Sequence, residues 1–438
     1  MAGKKRKKRK SGFSVFAVTF FLTLLAGCVA MLVYWALWGM NAGGHQEPAV
    51  IGEQIPVQEE HLAVSDELYE DTAEETTEET AEEITEGESA AEEKGKYDDL
   101  LADTVFCEQN KIYGKETADP EEVTLVFGGD ILFDERYAVM AQMIARGQGV
   151  EGSISGEMLQ VMRNADICMI NNEFPYTDRG EALPEKAFTF RANPQYASYL
   201  RDMGVDVVSL ANNHAYDYGE ISLRDSIDTL DSVGVAYVGA GVNLDEAVKP
   251  VTFVVNDLRI AILSATQIER YPDSDTPGAT ADSPGVFRCL DVTRLLEEVA
   301  KARAENDFVI VYIHWGSEST DQPDWGQLEQ APQIAEAGAD LIIGDHPHVL
   351  QGITYCGDTP VFYSLGNYLF NSKSQDTCLI EAKLDENGLK SIKFIPGLQQ
   401  NCSVSMHHGE ESERVLSYIR ELSPGVTISE EGYVGKAE

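Results

Sequence analysis

The stretch GADLIIGDHPHVLQG, from Gly338 to Gly352, joins a short apolar run to two histidines one residue apart. An apolar run rich in Ile and Leu and closed by glycine is typical of a buried strand that ends in a loop. His346 and His348 would then lie at the C-terminal edge of a sheet, where open α/β sheets bind their ligands. Ordinary surface-loop histidines are the alternative interpretation, and only the rest of the chain decides between the two.

Similar apolar runs alternate with amphipathic stretches through the centre of the chain. The runs that predict further strands are VTLVFGGD (123–130), DICMINNE (166–173), VDVVSLANNH (205–214), VAYVGAG (235–241), LRIAILSA (258–265) and DFVIVYIHWG (307–316). ISLRDSIDTLDSVG (221–234) and VTRLLEEVAKARAEN (292–306) have helical spacing of their apolar residues. This alternation favours an α/β fold with a largely buried sheet. A later run predicts antiparallel strands with a turn at DENG, residues 385–388.

Charge is distributed unevenly along the 438 residues. The formal net charge is -41, yet residues 1–12 carry the basic cluster KKRKKRK. A continuous apolar stretch of about 28 residues follows at 13–40 and exceeds the ~20 that a helix needs to cross a bilayer. The positive-inside rule then places the N-terminus in the cytoplasm and the main domain outside. The sequence therefore predicts a single-pass protein of the cell membrane.

Cleavage of this segment is the competing interpretation. A basic region followed by an apolar region also begins a signal peptide, and LAGC, ending at Cys28, resembles a lipoprotein cleavage box. The chain stays apolar after Cys28, through VAMLVYWALWGM, which favours an uncleaved transmembrane anchor. Both interpretations attach the bulk of the chain to a membrane.

Residues 41–120 predict an acidic, disordered linker. The segment contains EDTAEETTEETAEEITEGESAAEEKGK, which is rich in Glu, Thr and Ala and lacks the apolar residues that a core requires. Repulsion between its carboxylates extends such a tether. We expect a folded domain at 121–402 and a C-terminal tail at 403–438 that frays at SEEGYVGKAE.

Polar residues that bind metals stand at the ends of five predicted strands. Asp and Asn also end strands because they form turns, so one such residue is weak evidence. Several together converge on one sheet edge, where carboxylate, amide and imidazole groups make a metal site. The four histidines outside the linker and the tail all lie at these ends. The strand-end residues are Asp130, Glu173, Asn213, His214, His314, His346 and His348.

The order of these motifs resembles the CapA family of bacterial poly-γ-glutamate capsule synthesis proteins. The motifs are GGD, NNE, NNH followed by Asp217, HWG followed by Glu318, GDHPH and YSLGN, within Val123 to Gly397. The family in turn resembles the calcineurin-like metallophosphoesterases. The resemblance implies a four-layer αββα sandwich, in which two mixed sheets pack face to face with helices outside. It also implies a site for two divalent metal ions at the sheet edge.

Carried over position by position, the resemblance implies a role for each strand-end residue. Asp130 and His348 would bind the first metal, and Glu173 would bridge both metals. The second metal would be held by Asn213, His314 and His346. Imidazole with carboxylate suits Mn, Fe or Zn better than Ca or Mg.

His214 would donate a proton to the leaving group, and Asp217 would orient it, because Ala215 stands where phosphoesterases usually have the acidic residue. This sequence departs further from the phosphoesterase pattern at the first motif. Leu132 stands in place of the histidine of Asp-x-His, so one ligand of the first metal is missing. Two other residues keep two interpretations each. Trp315 shields a ligand or packs in the core, and Asn367 steadies the pocket or makes a turn.

Two functions follow from this pattern. One is a metal-dependent hydrolase that cleaves a phosphoester, ester or amide bond of an envelope polymer. The other is a non-catalytic capsule assembly or export component that binds an anionic polymer, its precursor or membrane-embedded synthesis subunits. Nucleic-acid binding is disfavoured, because the only strong basic cluster lies at 4–10 on the predicted cytoplasmic side.

Overall fold

The computed structural model describes residues 95–117, 119–184, 186–269 and 276–437. The basic N-terminus, the predicted anchor at 13–40 and the greater part of the predicted linker lie outside these residues. Among the helices of the described ranges, none combines the length and the hydrophobicity that crossing a bilayer requires.

The secondary structure alternates between strands and helices. The helices are α1 (Asp98–Ala102), α2 (Thr104–Gln109), α3 (Ala138–Arg146), α4 (Gly156–Arg163), α5 (Ser198–Met203), α6 (Glu220–Val233), α7 (Leu244–Ala247), α8 (Thr293–Glu305), α9 (Trp325–Ala337) and α10 (Gly409–Leu422). The strands are β1 (Ile112–Gly114), β2 (Val123–Ile131), β3 (Ile167–Asn172), β4 (Val207–Ser209), β5 (Ala236–Val238), β6 (Ala240–Gly241), β7 (Val251–Val255), β8 (Leu258–Thr266), β9 (Gly285–Val286), β10 (Phe308–His314), β11 (Leu341–Asp345), β12 (Ile353–Cys356), β13 (Thr359–Phe362), β14 (Asn367–Leu369), β15 (Gln375–Asp385), β16 (Gly388–Gln400), β17 (Ser403–Met406), β18 (Val426–Ile428) and β19 (Val434–Lys436).

Two large mixed sheets contain most of these strands. Sheet A has the order β1-β7-β8-β10-β11-β13-β12, and sheet B has the order β17-β16-β15-β2-β3-β4-β5, with β14 beside β2. Strands β8, β10, β11 and β13 run parallel in sheet A, as do β2 to β5 in sheet B. The predicted α/β class is confirmed. The predicted turn at DENG connects the antiparallel strands β15 and β16.

Buried side chains at alternate positions of each central strand face different layers of the fold. On β8, Ile260 and Ile262 belong to the core between the sheets, whereas Ala261 and Leu263 pack toward α8 and α9. The opposite face of sheet B packs on α3 to α6. The order is therefore helices, sheet B, sheet A, helices. This arrangement turns the C-terminal ends of β2, β3, β10 and β11 toward one edge.

The structure differs from the predicted linker over its last part. Residues from Asp98 to Gly114 form α1, α2 and β1, and β1 pairs in parallel with β7 of sheet A. Cys107 and Ile112 are buried against Val254. The acidic composition of residues 41–120 as a whole predicts disorder, because the segment contains few apolar residues. Those few are nevertheless enough to add one strand to a sheet edge.

The predicted C-terminal tail is also wrong in extent. Residues 403–438 contain β17, α10, β18 and β19, and β17 extends sheet B beside β16. Helix α10 buries Val415, Leu416 and Ile419 in the core between the sheets. The helix has a narrow apolar stripe among charged residues, so its contribution to the core is visible only once the sheets are assembled.

Candidate metal centre

The ends of four strands bring the predicted metal ligands together. Asp130 lies near the end of β2 and Glu173 follows β3, while His314 ends β10. His346 follows β11 directly. Asp130, Glu173 and His314 are fully buried, Asn213 and His346 are 7% and 4% exposed, and the side chain of His348 is 21% exposed. The structure thus places all six predicted ligands at one sheet edge.

One group of ligand atoms surrounds His314. Its Nε2 lies 2.8 Å from Asn213 Oδ1, 3.0 Å from His346 Nδ1 and 3.8 Å from Glu173 Oε1. Its Nδ1 lies 3.1 Å from Asp345 Oδ1. When Nδ1–H donates to that carboxylate, the lone pair of Nε2 faces the Asn213 oxygen, an arrangement that a bound cation stabilises. One ligand atom from each of Glu173, His314 and His346 falls within 4.8 Å of the others.

A second group includes Asp130 and His348. His348 Nδ1 donates to Asp130 Oδ2 at 3.1 Å and to Asn367 Oδ1 at 2.9 Å. Its Nε2 is therefore the nitrogen left for a metal, and it lies 3.8 Å from Glu173 Oε1. Asn171 Nδ2 donates to the other oxygen of Asp130 at 2.8 Å. Glu173 belongs to both groups, which is the position of a bridging ligand.

Three fully buried carboxylates, those of Asp130, Glu173 and Asp345, crowd this edge. Within the described ranges no lysine or arginine forms an ion pair with any of them. Glu173 Oε1 and Asp345 Oδ2 have no hydrogen-bond partner. Burial, together with the neighbouring carboxylates, raises the pKa of Glu173 and of Asp345 well above the usual range. A divalent cation supplies the charge that this group of residues lacks, so the donor set fits a metal.

Two histidines of the edge, His314 and His346, are neutral in this environment. Burial lowers the pKa of His314 to about 3 and that of His346 well below its ordinary value. Neutral imidazole is the form that binds metals. His314 and His346 are thus already in the protonation state that coordination requires. At His348 burial lowers the pKa, but the contacts with Asp130 outweigh burial and raise it.

The backbone of the GDHPH loop is strained. His346 and His348 have φ angles of 92° and 58°, in the left-handed region that side-chain-bearing residues seldom adopt. Such conformations persist where the surroundings hold them and are concentrated at functional sites. At the neighbouring strand end, a Cβ on Gly129 would stand 1.9 Å from the carbonyl oxygen of Gly366. The GGD and SLGN motifs therefore need glycine because the two backbones touch beside the site.

His214 and Asp217 form the predicted pair beside the metal ligands. His214 Nδ1 lies 2.7 Å from Asp217 Oδ2, although Ala215 and Tyr216 separate them in the chain. Burial lowers the pKa of His214, and the Asp217 carboxylate opposes that effect. Because Asp217 engages Nδ1, Nε2 remains for proton exchange with a substrate.

Lys186 was not predicted, and it completes this pair. Its side chain is only 6% exposed, and its Nζ lies 2.5 Å from Asp217 Oδ1 and also donates to the carbonyl oxygen of Asn213. Phe190 donates its backbone N–H to Asp217 Oδ2 at 2.7 Å. The EKAFTF segment gave no metal-binding or strand-end signal, so only the tertiary structure identifies Lys186.

Two aromatic rings line the histidines. Phe190 lies 4.2 Å from the His214 ring, and Phe370 lies 4.8 Å from the His348 ring, as measured between centroids. The two phenylalanines meet edge to face at 5.6 Å. This apolar wall limits the water that reaches the histidines.

The two open interpretations are resolved by contacts. Trp315 is fully buried and donates its Nε1–H to the carbonyl oxygen of Tyr363 at 2.9 Å, so it packs in the core. Asn367 accepts from His348 Nδ1, so it steadies a candidate ligand. Asp345 is a further residue that sequence reasoning missed, although the GDHPH motif contains it.

Comparison with known proteins gives matches over this same region. A model of the bacterial capsule synthesis protein PGA_cap family matches residues 124–372. The "PGA biosynthesis protein CapA" of Bacillus subtilis (strain 168) is 30% identical over 289 residues, which cover 64% of this chain and 73% of the relative. The "Capsule biosynthesis protein CapA" of Bacillus anthracis is 30% identical over 344 residues, or 75% of this chain and 81% of the relative. The solved structure of 5'-nucleotidase from Candida albicans SC5314 gives a TM-score of 0.35 at 9% identity, over 63% of this chain and 53% of that chain.

Proposed function

Because this chain belongs to the bacterial capsule synthesis protein family PGA_cap, we propose that it acts in the biosynthesis of a capsule or envelope polymer such as poly-γ-glutamate. It does so through a dinuclear metal centre of metallophosphoesterase type. The domain that carries the centre is extracytoplasmic and is anchored in the cell membrane by residues 13–40. The anchor follows from the sequence pattern alone.

One observation carries the metal-centre part of this proposal. Three buried carboxylates and two buried imidazoles meet at one sheet edge, and two of the carboxylate oxygens have no hydrogen-bond partner. Without a cation, these carboxylates would have to stay protonated or carry uncompensated buried negative charge, which costs several kcal/mol for each ion. Divalent cations compensate that charge.

The residues around the centre suit a hydrolase. Two divalent cations, when bound, supply Lewis acidity and a nucleophile from water at neutral pH. Glu173 lies between the two groups of ligands, and His314 and His346 present neutral nitrogens. His214 Nε2 exchanges a proton with the leaving group while Asp217 holds the ring in place. Phe190 and Phe370 exclude bulk water from these steps.

A non-catalytic role in assembly or export is the second candidate. It is favoured by Leu132, which stands where the phosphoesterase pattern has a histidine ligand and is buried in the apolar core instead. In that case the same residues would bind the polymer, its precursor or a membrane partner, with metal in a structural role or absent.

Metal content and hydrolysis, measured together, test the proposal. The full-length chain is purified without chelators, its Mn, Fe and Zn are counted by mass spectrometry, and hydrolysis of bis(p-nitrophenyl) phosphate is followed with and without EDTA. We expect Glu173→Gln and His346→Ala to lose both bound metal and EDTA-sensitive turnover, because each removes a ligand.

Two exposed residues give matched controls. Glu157→Gln and His408→Ala make the same chemical changes at an exposed ion pair, whose side chains are 60% and 62% exposed. Both should keep metal and turnover. Turnover that survives in Glu173→Gln would reject the proposal that this centre is the active site of a hydrolase. Bound metal without any turnover in the natural chain would favour the assembly role.

A further inference from the structure

We propose that Asp345 supplies the metal ligand that Leu132 does not, so that this chain completes its first metal position with a carboxylate from β11 instead of an imidazole from β2. This inference rests on the metal centre proposed above. It concerns which side chains complete the centre and how many metal ions this chain holds.

Leu132 has no means of taking part. Its side chain is a hydrocarbon, 1% exposed, and belongs to the apolar core between sheet B and its helices. Its backbone N–H donates to the carbonyl oxygen of Leu369 at 3.0 Å. A centre assembled from Asp130, Glu173 and His348 alone therefore lacks one protein ligand on this side.

Asp345 lies beside Asp130, a candidate ligand of the first metal, and beside His314. It is the last residue of β11 and is paired in register with His314, the last residue of β10. Parallel neighbours in register project to the same face of a sheet, so both side chains enter the site. One ligand atom from each of Asp130, His314 and Asp345 lies within 4.8 Å of the others.

The two oxygens of Asp345 have different surroundings. Oδ1 accepts from His314 Nδ1 at 3.1 Å, which is the usual contact of a carboxylate that orients a metal-binding histidine. Oδ2 is buried and has no hydrogen-bond partner. A residue that only orients His314 needs one oxygen, and burying a second one unpartnered is unfavourable. The unpartnered oxygen is the one available to a cation.

Asp345→Asn separates the two roles. The amide keeps one oxygen for the His314 N–H and replaces the other with an NH₂ group, which does not bind cations. In a Mn²⁺ titration of metal-free, full-length protein we expect about two equivalents for the natural chain and about one for Asp345→Asn. Asp358→Asn, at an exposed turn, removes the same charge and should keep two.

Other stoichiometries overturn the inference. Two equivalents in Asp345→Asn, with unchanged affinity or with the roughly 10- to 100-fold weakening typical of a lost orienting group, would make Asp345 a positioning residue only. No Mn²⁺ in the natural chain would instead reject the proposed metal centre itself, so the two failures are distinguishable.

Thermal unfolding of the metal-free proteins gives an independent readout. An unpaired buried carboxylate destabilises the metal-free fold, so metal-free Asp345→Asn and Asp345→Ser should unfold at the same temperature as the natural chain or higher. Unfolding of either variant at a lower temperature would mean that Asp345 holds the structure together, contrary to the inference.

Discussion

At the scale of single residues, the site depends on charges that are buried together. Asp217 receives hydrogen bonds from His214, from Lys186 and from the backbone N–H of Phe190. These donors satisfy both oxygens of a fully buried carboxylate without a metal. Glu173 and Asp345 each accept from one side chain, Asn171 Nδ2 and His314 Nδ1 respectively, and each keeps one oxygen without a donor. The two halves of the site therefore differ in how fully their carboxylates are hydrogen-bonded.

Lys186→Met should destabilise the protein by about 3 kcal/mol, because it leaves Asp217 without its cationic partner in a buried site. The change is measured as the free energy of unfolding in urea. Lys436→Met, at an exposed ion pair, is the control and should leave the free energy of unfolding nearly unchanged. Equal effects of the two substitutions would contradict a structural role of Lys186 in holding Asp217.

At the scale of secondary-structure elements, the parallel strands position the side chains of the candidate site. The peripheral elements complete the hydrophobic core. The parallel pairing of β10 with β11 sets His314 opposite Asp345, and that of β2 with β3 sets Asp130 opposite Asn171. The long hairpin β15–β16 extends sheet B, and α10 seals the core between the sheets. The C-terminal residues are therefore part of the domain.

Leu416→Ala tests the contribution of α10. Leu416 is 1% exposed, and we expect a loss of about 3 kcal/mol in the free energy of unfolding, from lost burial and from the cavity that remains. Leu290→Ala, the same substitution at a residue that is 48% exposed, should cost far less. If α10 were a tail outside the domain core, the two substitutions would change the free energy of unfolding by the same amount.

At the scale of the whole molecule, the effect of a charge depends on whether it lies at the surface or is buried. The chain carries a formal net charge of -41, so we expect most of its surface to repel an anionic polymer and any contact to be confined to the proposed metal centre. Lys111, near the start of the domain, is a buried positive charge. Lys111 lies over the Tyr237 ring at 3.6 Å, with Glu246 4.0 Å away, and burial lowers its pKa to about 8.

The buried charge of Lys111 makes stability depend on pH. Between about pH 8 and the ordinary value of 10.5, the folded chain has released a proton that the unfolded chain still holds, so this residue's contribution to stability rises with pH and is lost as pH falls through 8. Lys111→Met should remove that dependence. We expect its advantage in free energy of unfolding over the natural chain to be about 3 kcal/mol at pH 7 and to shrink toward pH 10.

Urea unfolding of both proteins from pH 7 to 10 measures this difference. Lys301→Met, whose lysine is 60% exposed in the natural chain, controls for the loss of a charge and should give a difference that does not vary with pH. A constant difference for Lys111→Met as well would show that Lys111 stays protonated in the fold.

The sequence by itself determined the class of the fold and the main members of the site. Apolar runs of strand length, each followed by a polar residue, predict a buried parallel sheet and the convergence of Asp130, Glu173, His314 and His346 at its edge. Both features are local, because side-chain periodicity and the residues at a strand end are read within about ten positions.

Only the tertiary structure decided which other residues reach that edge. Asp345 reaches the edge because β10 and β11 are paired in register, and Lys186 reaches it because its side chain contacts Asp217. The same holds for β1 and α10, whose few apolar residues become part of the core only against the assembled sheets. Contacts between residues distant in the chain depend on how elements pack, and no local pattern encodes that packing.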